Sequence, residues 1–131
     1  MTANKAIKVG GLLLAAGGSV RLGSPKQLLE FQGKTLLRRS AEALVESRCE
    51  PIIVVLGAEI ERSETEIKGL KLSLVLNEDW EHGMSSSIRV GLEKLLVLEP
   101  NIDAVMITLC DQPFVTAETI GQFVHAFKQK N

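Results

Sequence analysis

The chain predicts an α/β fold: a three-layer Rossmann-like sandwich with a mostly parallel sheet. Short apolar runs alternate along all 131 residues with amphipathic stretches of helical period, which is how a parallel sheet covered by helices reads. The first run, Ile7 to Leu14, is apolar on both faces, as a central parallel strand should be. A length of 131 residues suits one domain and is enough to bury a real core.

Taken in order, the first strand leads into a glycine-rich connection from Ala15 to about Gln27. It continues through Gly33 to a helix near Thr35 to Ser47, whose Leu37, Ala41, Leu44 and Val45 share one face. Pro51 prevents that helix from continuing. A second strand, Ile52 to Leu56, is β-branched and ends at Gly57. Glu59 to Lys68 then reads as a short charged helix stopped by Gly69. The third strand, Leu72 to Leu76, opens into a polar passage from Asn77 to Gly83. Ser85 can cap a helix running to Leu98, with Ile88, Leu92, Leu95 and Leu96 inward. The fourth strand, Ala104 to Leu109, runs into Asp111-Gln112-Pro113. Thr116 starts a last helix, with Ile120, Phe123, Val124 and Phe127 expected on the sheet. Residues 1–131 form one domain, with no linker or repeat.

Composition narrows the function classes. A net charge of −1 supplies no field for nucleic acid or anionic lipid, so neither a nucleic-acid nor a membrane partner is expected. The charge is nevertheless uneven: residues 1–48 carry 8 basic and 3 acidic side chains, so any polyanion site belongs in the first third. Cys49 and Cys110 have no CxxC spacing and suggest neither a disulfide scaffold nor a thiolate metal site. Lys5 and Lys8 ahead of Val9 to Val20 imitate a signal peptide, but four glycines interrupt that stretch. A buried strand and turn explain it better, and the expected location is the cytoplasm.

In an open parallel sheet the ligand lies beyond the carboxyl ends of the strands. The exit from the first strand is Leu14-Ala15-Ala16-Gly17-Gly18-Ser19-Val20-Arg21-Leu22-Gly23-Ser24-Pro25-Lys26. Small residues let backbone N–H groups approach phosphate oxygens closely, and Arg21 and Lys26 can neutralise the charge those amides cradle. The run is neither a Walker A loop nor GxGxxG, and it far exceeds an ordinary strand-to-helix connection of about two to six residues. Asp111, where the fourth strand ends, is placed to bind Mg²⁺, which takes one or two carboxylates plus substrate phosphates. After the third strand, Asn77 with Ser85 and Ser86 offers donors and acceptors to a base or ribose. Trp80 reads as cover for a hydrophobic edge. The Lys34, Arg38 and Arg39 group reads as a solvated face, and so do Glu59, Glu61, Glu64 and Glu66.

Together, Leu14-Ala15-Ala16-Gly17-x-Ser19-x-Arg21-x-Gly23-x-Pro25-Lys26, Gly83-Met84-Ser85-Ser86-Ser87 and Leu109-Cys110-Asp111-Gln112-Pro113 resemble the MobA-like NTP transferase family. They are most similar to its molybdenum-cofactor cytidylyltransferase group. The resemblance implies the nucleotide-diphospho-sugar transferase type of sandwich, of which this chain covers the N-terminal nucleotide-binding portion. It implies backbone contacts to nucleotide from Leu14, Ala15, Ala16, Gly17, Gly18 and Ser19. By the same resemblance Arg21 and Lys26 hold the triphosphate, Asp111 holds Mg²⁺, and Asn77, Ser85 and Ser86 lie along base and ribose. The implied reaction transfers a nucleoside monophosphate, CMP from CTP on the Ala15-Ala16-Gly17 signature, to the phosphate of a molybdopterin-type acceptor and releases pyrophosphate. Family members carry a later Gly-Asp-x-Gly-Ala-Arg-like motif with a further metal carboxylate, and nothing in these 131 residues matches it. Three alternatives stay open: a cytidylyltransferase of isoprenoid-precursor or sugar-phosphate type, a non-catalytic NTP-binding module, and a dinucleotide-binding oxidoreductase.

Overall fold

The computed structural model describes residues 6–17, 20–21, 24–110, 112 and 114–130. Strand β1 (Val9–Ala15) is followed by two short antiparallel hairpins, β2 (Val20–Arg21) with β3 (Ser24–Pro25) and β4 (Glu30–Phe31) with β5 (Lys34–Thr35). A single 3₁₀ turn, Lys26–Leu28, separates them. Next come α1 (Leu36–Glu46), β6 (Ile52–Leu56), α2 (Ile60–Glu66) and β7 (Ser73–Leu76). A second 3₁₀ turn, Trp80–His82, precedes α3 (Met84–Leu98), β8 (Ala104–Leu109) and α4 (Ala117–Lys130).

The main sheet has the order β7-β6-β1-β8, and every pairing in it is parallel. It carries α3 on one face and α1 with α4 on the other, giving the α/β three-layer arrangement that the sequence predicts. The pleat explains the two cores, because successive side chains of a strand point to opposite faces. Leu13 and Ala15 of β1 join Leu37, Ala41 and Leu44 of α1. Leu12 and Leu14 join Leu95 of α3. Leu12, Leu13, Leu37, Leu44 and Leu95 are fully buried, each contributing about 1.5–3 kcal/mol of transfer free energy.

Glycine sets the spacing of the layers. A Cβ on Gly11 would lie 2.9 Å from Leu44, and one on Gly10 would lie 3.0 Å from Leu95, so β1 meets a helix closely on each side. Gly91 does the same from within α3. Gly91→Ala gains about 1 kcal/mol of helix propensity, but its methyl would run into Leu12 Cδ1 and sit 2.9 Å from Val55 Cγ2, both on buried side chains. Overpacking costs about 1–3 kcal/mol, so the expected net result is a lower midpoint of chemical denaturation. A raised midpoint would show that Leu12 swings aside freely.

Several expectations need correction. Ser85 does not cap α3: the N-cap is Gly83, without a side-chain hydrogen bond, and the helix begins at Met84. Leu96, Phe123 and Phe127 do not pack in the sheet cores but are 48%, 64% and 36% exposed, whereas Ile88, Leu92, Ile120 and Val124 pack inward. The β4–β5 hairpin occupies part of a stretch read as plain connection. Its turn needs left-handed backbone at Gln32 and Gly33 (φ 53° and 84°), which the glycine permits. Thr35 caps α1 by accepting from the Arg38 N–H at 3.1 Å.

The Lys34, Arg38 and Arg39 group is likewise more than a solvated face. Lys34 and Arg38 both pair with Glu42, Arg38 donates to the carbonyls of Glu66 and Lys68, and Arg39 donates to that of Phe31. Glu66 accepts from Thr35, so it too is tied down. The hydrogen bond from Lys34, helped by Arg38 and opposed by partial burial, holds the Glu42 carboxyl below the usual glutamate range. Its folded pKa being depressed, the pair stabilises the fold above the unfolded value and loses that effect as pH falls through the folded value. For a surface pair the amount is at most about 1 kcal/mol. Glu42→Gln is therefore expected to lower the denaturation midpoint near neutrality and to change it little once glutamates are protonated. An equal loss at both pH values would contradict the assignment.

Candidate functional site

Strands β1, β6 and β7 step outward in one direction, and the chain then returns to place β8 on the other side of β1. That reversal is the switch point at which open α/β sheets bind ligands. A cavity of about 270 Å³ opens there. Its floor is the end of β1 and the residues beyond it, Leu14, Ala15, Ala16 and Gly17. Lys26 and Gln27 stand on one side, Trp80, Met84 and Ser87 on another, and Leu109 and Cys110 close it from β8. A larger depression of about 690 Å³ lies at the opposite, amino end of the sheet, around Lys8, Arg48 and Pro51; strand polarity favours the smaller cavity.

Local interactions fix each wall. The Ala16 carbonyl accepts from Ala58 N–H at 3.2 Å, holding the exit of β1 against β6. Buried Gln27 reaches the Ala15 carbonyl from the 3₁₀ turn that carries Lys26, at a long 3.5 Å. Gly57 has no room for a side chain: a Cβ would lie 2.7 Å from Trp80 Cβ and 2.8 Å from the Ala16 oxygen. Trp80 thus packs against the core, as the sequence suggests, and also lines the cavity. At Gly17 the situation reverses, since a Cβ there would meet nothing within 4 Å.

Of the residues singled out from sequence, Leu14, Ala15, Ala16, Gly17 and Lys26 come together in this cavity. Gly18, Ser19 and Asp111 lie outside the described residues, and Arg21 is described only as backbone, in β2 opposite Ser24. Cys110, the residue immediately before Asp111, is on the wall. Asn77 and Ser86 are not among the lining residues. Asn77 is 1% exposed, donates to Ser86 Oγ and Ser87 Oγ at 2.9 Å each, and accepts from Asp79 N–H. Ser86 donates to the Gly83 carbonyl at 2.7 Å, and Ser85 faces solvent. These residues build the turn before α3.

Ser87 is the serine that reaches the cavity; the sequence groups it with Ser85 and Ser86 as three consecutive hydroxyls, and the resemblance places the nucleoside contacts on the other two. Its oxygen accepts from Asn77, which leaves the hydroxyl hydrogen available to a ligand. Helical spacing could have found it, because residues 87, 91 and 95 share the stripe of α3 that faces the sheet.

A divalent cation places different demands on the site. Among the described residues no group of three His, Cys, Asp or Glu could hold a metal. A Mg²⁺ ion bound mostly through phosphates and water needs no such cluster, and one hard oxygen donor at the cavity mouth suffices. Burial pushes the Cys49 thiol up, marking it as an inert core residue remote from this chemistry.

The family described as the MobA-like NTP transferase domain matches residues 11–131. The chain belongs to this family. A relative named nicotine blue oxidoreductase, from Paenarthrobacter nicotinovorans, is 33% identical over 117 residues, which are 88% of this chain and 55% of that protein. The crystal structure of Rv0371c from Mycobacterium tuberculosis H37Rv superposes with a TM-score of 0.80 at 26% identity, over 95% of this chain and 62% of that one. A structure of Rv0371c in complex with manganese gives a TM-score of 0.72 at 23% identity, over 93% and 60% of the two chains. This MobA-like chain therefore spans 55% to 62% of the length of these three proteins. No helix among its described residues is long and apolar enough to cross a membrane.

Proposed function

We propose that this domain binds a nucleoside triphosphate, CTP by the Ala15-Ala16-Gly17 signature, and transfers its nucleoside monophosphate to a phosphorylated small molecule. The observation that carries the reading is the cavity at the end of β1, which the small residues Ala15, Ala16 and Gly17 line together with Lys26. Such a surface accepts linked anionic groups. The wall of Trp80, Met84 and Leu109 offers apolar cover to a flat base.

In this reading an acceptor phosphate oxygen attacks the α-phosphorus in line. The new P–O bond forms as the bond from that phosphorus to the bridging oxygen breaks, and pyrophosphate leaves with the electron pair. Lys26 and Arg21 offset the charge that develops on the departing group. Asp111 would hold Mg²⁺, whose chemistry is to draw electron density from the phosphate oxygens. Ser87 orients the nucleoside, and the buried Asn77 amide fixes Ser87. A molybdopterin-type acceptor follows from the resemblance of Leu109-Cys110-Asp111-Gln112-Pro113 to that group.

The test is an assay of pyrophosphate release from CTP and Mg²⁺ with molybdopterin. Release that requires both substrates supports transfer. Tight CTP binding without release, beside a longer relative that turns over, supports a nucleotide-binding module instead. A second reading, oxidoreduction, is favoured by the name of the 33% identical relative, nicotine blue oxidoreductase. It lacks the GxGxxG run and has Leu56-Gly57 where a ribose-binding acid would end the second strand. Oxidation of a reduced dinucleotide by the protein with that relative's named substrate would favour it over transfer.

A further inference from the structure

The depression of about 690 Å³ at the amino end of the sheet is separate from the nucleotide cavity, and two of the residues that line it run against local backbone preference. Arg48 follows Ser47, the C-cap of α1, with φ 74°. Helices usually place glycine at that left-handed position, because a side chain there is strained. Gly121 shows the reverse. It sits inside α4, where alanine is the better helix former, and a Cβ on it would meet nothing within 4 Å. Packing requires neither choice, since Arg48 is exposed and Gly121 has open space beside it.

We infer that this depression is a second binding site, for a small phosphate monoester whose phosphate is held by Arg48 and Lys128 and whose apolar body lies on Pro51 and Val124. The charges favour an anion. Arg48, His125 and Lys128 line the space, and among the described residues none of them has a salt-bridge partner. The two carboxylates on the lining are engaged elsewhere: Glu99 pairs with Lys8, and Glu50 approaches Lys71 at 3.8 Å. Two permanent cations without counter-ions around one space suit a phosphate dianion, and a guanidinium fork can engage two of its oxygens at once. Pro51, Leu98 and Val124 supply the apolar wall, and the missing side chain at Gly121 leaves room beside it. The backbone that carries Arg48 is tied down on both sides. Ser47 Oγ donates to the Leu44 carbonyl at 2.6 Å, while Glu50 N–H donates to the Val9 carbonyl and Gly11 N–H to that of Pro51, both at 2.9 Å. The left-handed turn thus presents the arginine from a fixed frame between α1 and β1.

The test is an NMR titration of the ¹⁵N-labelled 131-residue chain with phenyl phosphate and with inorganic phosphate, repeated for the R48G and G121L variants. Phenyl phosphate should shift the amide signals of Arg48, Gly121 and Lys128 saturably, and inorganic phosphate should shift the same signals with lower affinity. R48G should weaken phenyl phosphate about fivefold, the worth of one exposed ionic contact, and G121L should abolish saturation by filling the space. Neither variant should melt below the parent, because each replaces a residue that its backbone position disfavours. Shifts confined to Gly17, Ser87 and their neighbours would put the phosphate in the nucleotide cavity alone and overturn the second site. The absence of any saturable shift, or parent-like affinity in either variant, overturns it equally. A lowered melting temperature in R48G would make Arg48 a structural residue and remove its role in binding. Equal affinity for the two probes would overturn the apolar part of the assignment.

Discussion

Lys26→Ala is expected to weaken Mg²⁺-dependent CTP binding by about tenfold to a hundredfold, the worth of one charge-assisted contact to a phosphate. The unfolding midpoint should stay close to that of the parent chain. Lys26 opens the 3₁₀ turn on the cavity wall, while Pro25, Gln27 and Leu28 around it are buried and hold the turn. Truncating Lys26 thus takes away charge while these neighbours keep the turn packed, and the loss of an exposed charge contact costs at most about 1 kcal/mol. Calorimetric titration of both proteins with CTP and Mg²⁺ decides the matter, and an unchanged dissociation constant would remove Lys26 from the site.

Gly57→Ala is expected to damage fold and site together. The added methyl would meet Trp80 Cβ at 2.7 Å and the Ala16 carbonyl oxygen at 2.8 Å. Neither is the free end of a flexible side chain, so the strain cannot be relieved by a rotamer change and should cost about 1–3 kcal/mol. Whichever side yields, a wall of the cavity moves, because Ala16 and Trp80 both line it. A lower denaturation midpoint accompanied by weaker CTP binding is the expected pair of results. A midpoint lowered with CTP affinity unchanged would show that the Trp80 wall is not part of the nucleotide site.

The sheet was legible because its strands are uncharged apolar runs, buried on both faces in the central β1 and β6 and half covered in the edge strands β7 and β8. Ile52–Leu56 and Ala104–Leu109 are uncharged runs bounded by breaks, and they form as read. Helix faces were harder. Leu96 and Phe123 sit on amphipathic stripes at helical spacing, but periodicity cannot tell how wide a strip the sheet covers, and both lie at its margin. The hairpin of β4 and β5 has only two residues per strand, too few for an alternating pattern. Within the site, the small-residue exit of β1 and Lys26 were visible from composition alone. Ser87 was hidden because three consecutive serines look alike until the helix register assigns one of them to the cavity. Asn77 looked like a base reader because a polar residue ending an apolar strand has that appearance; its amide is turned inward to two serines. Trp80 and Gly57 are distant in sequence, and their contact exists only once β6 and the turn before α3 have been brought together.

The central claim is that the cavity at the end of β1 grips a nucleoside triphosphate with the help of a divalent ion. A thermal-shift panel of nucleoside triphosphates, each with and without Mg²⁺, tests it most directly, since a ligand that binds only the native state raises apparent stability by an amount that grows with the logarithm of its concentration relative to its dissociation constant. The account predicts a rise with CTP that is largest in the presence of Mg²⁺ and is lost in Lys26→Ala. A melting temperature unmoved by every triphosphate, with or without the metal, would contradict it.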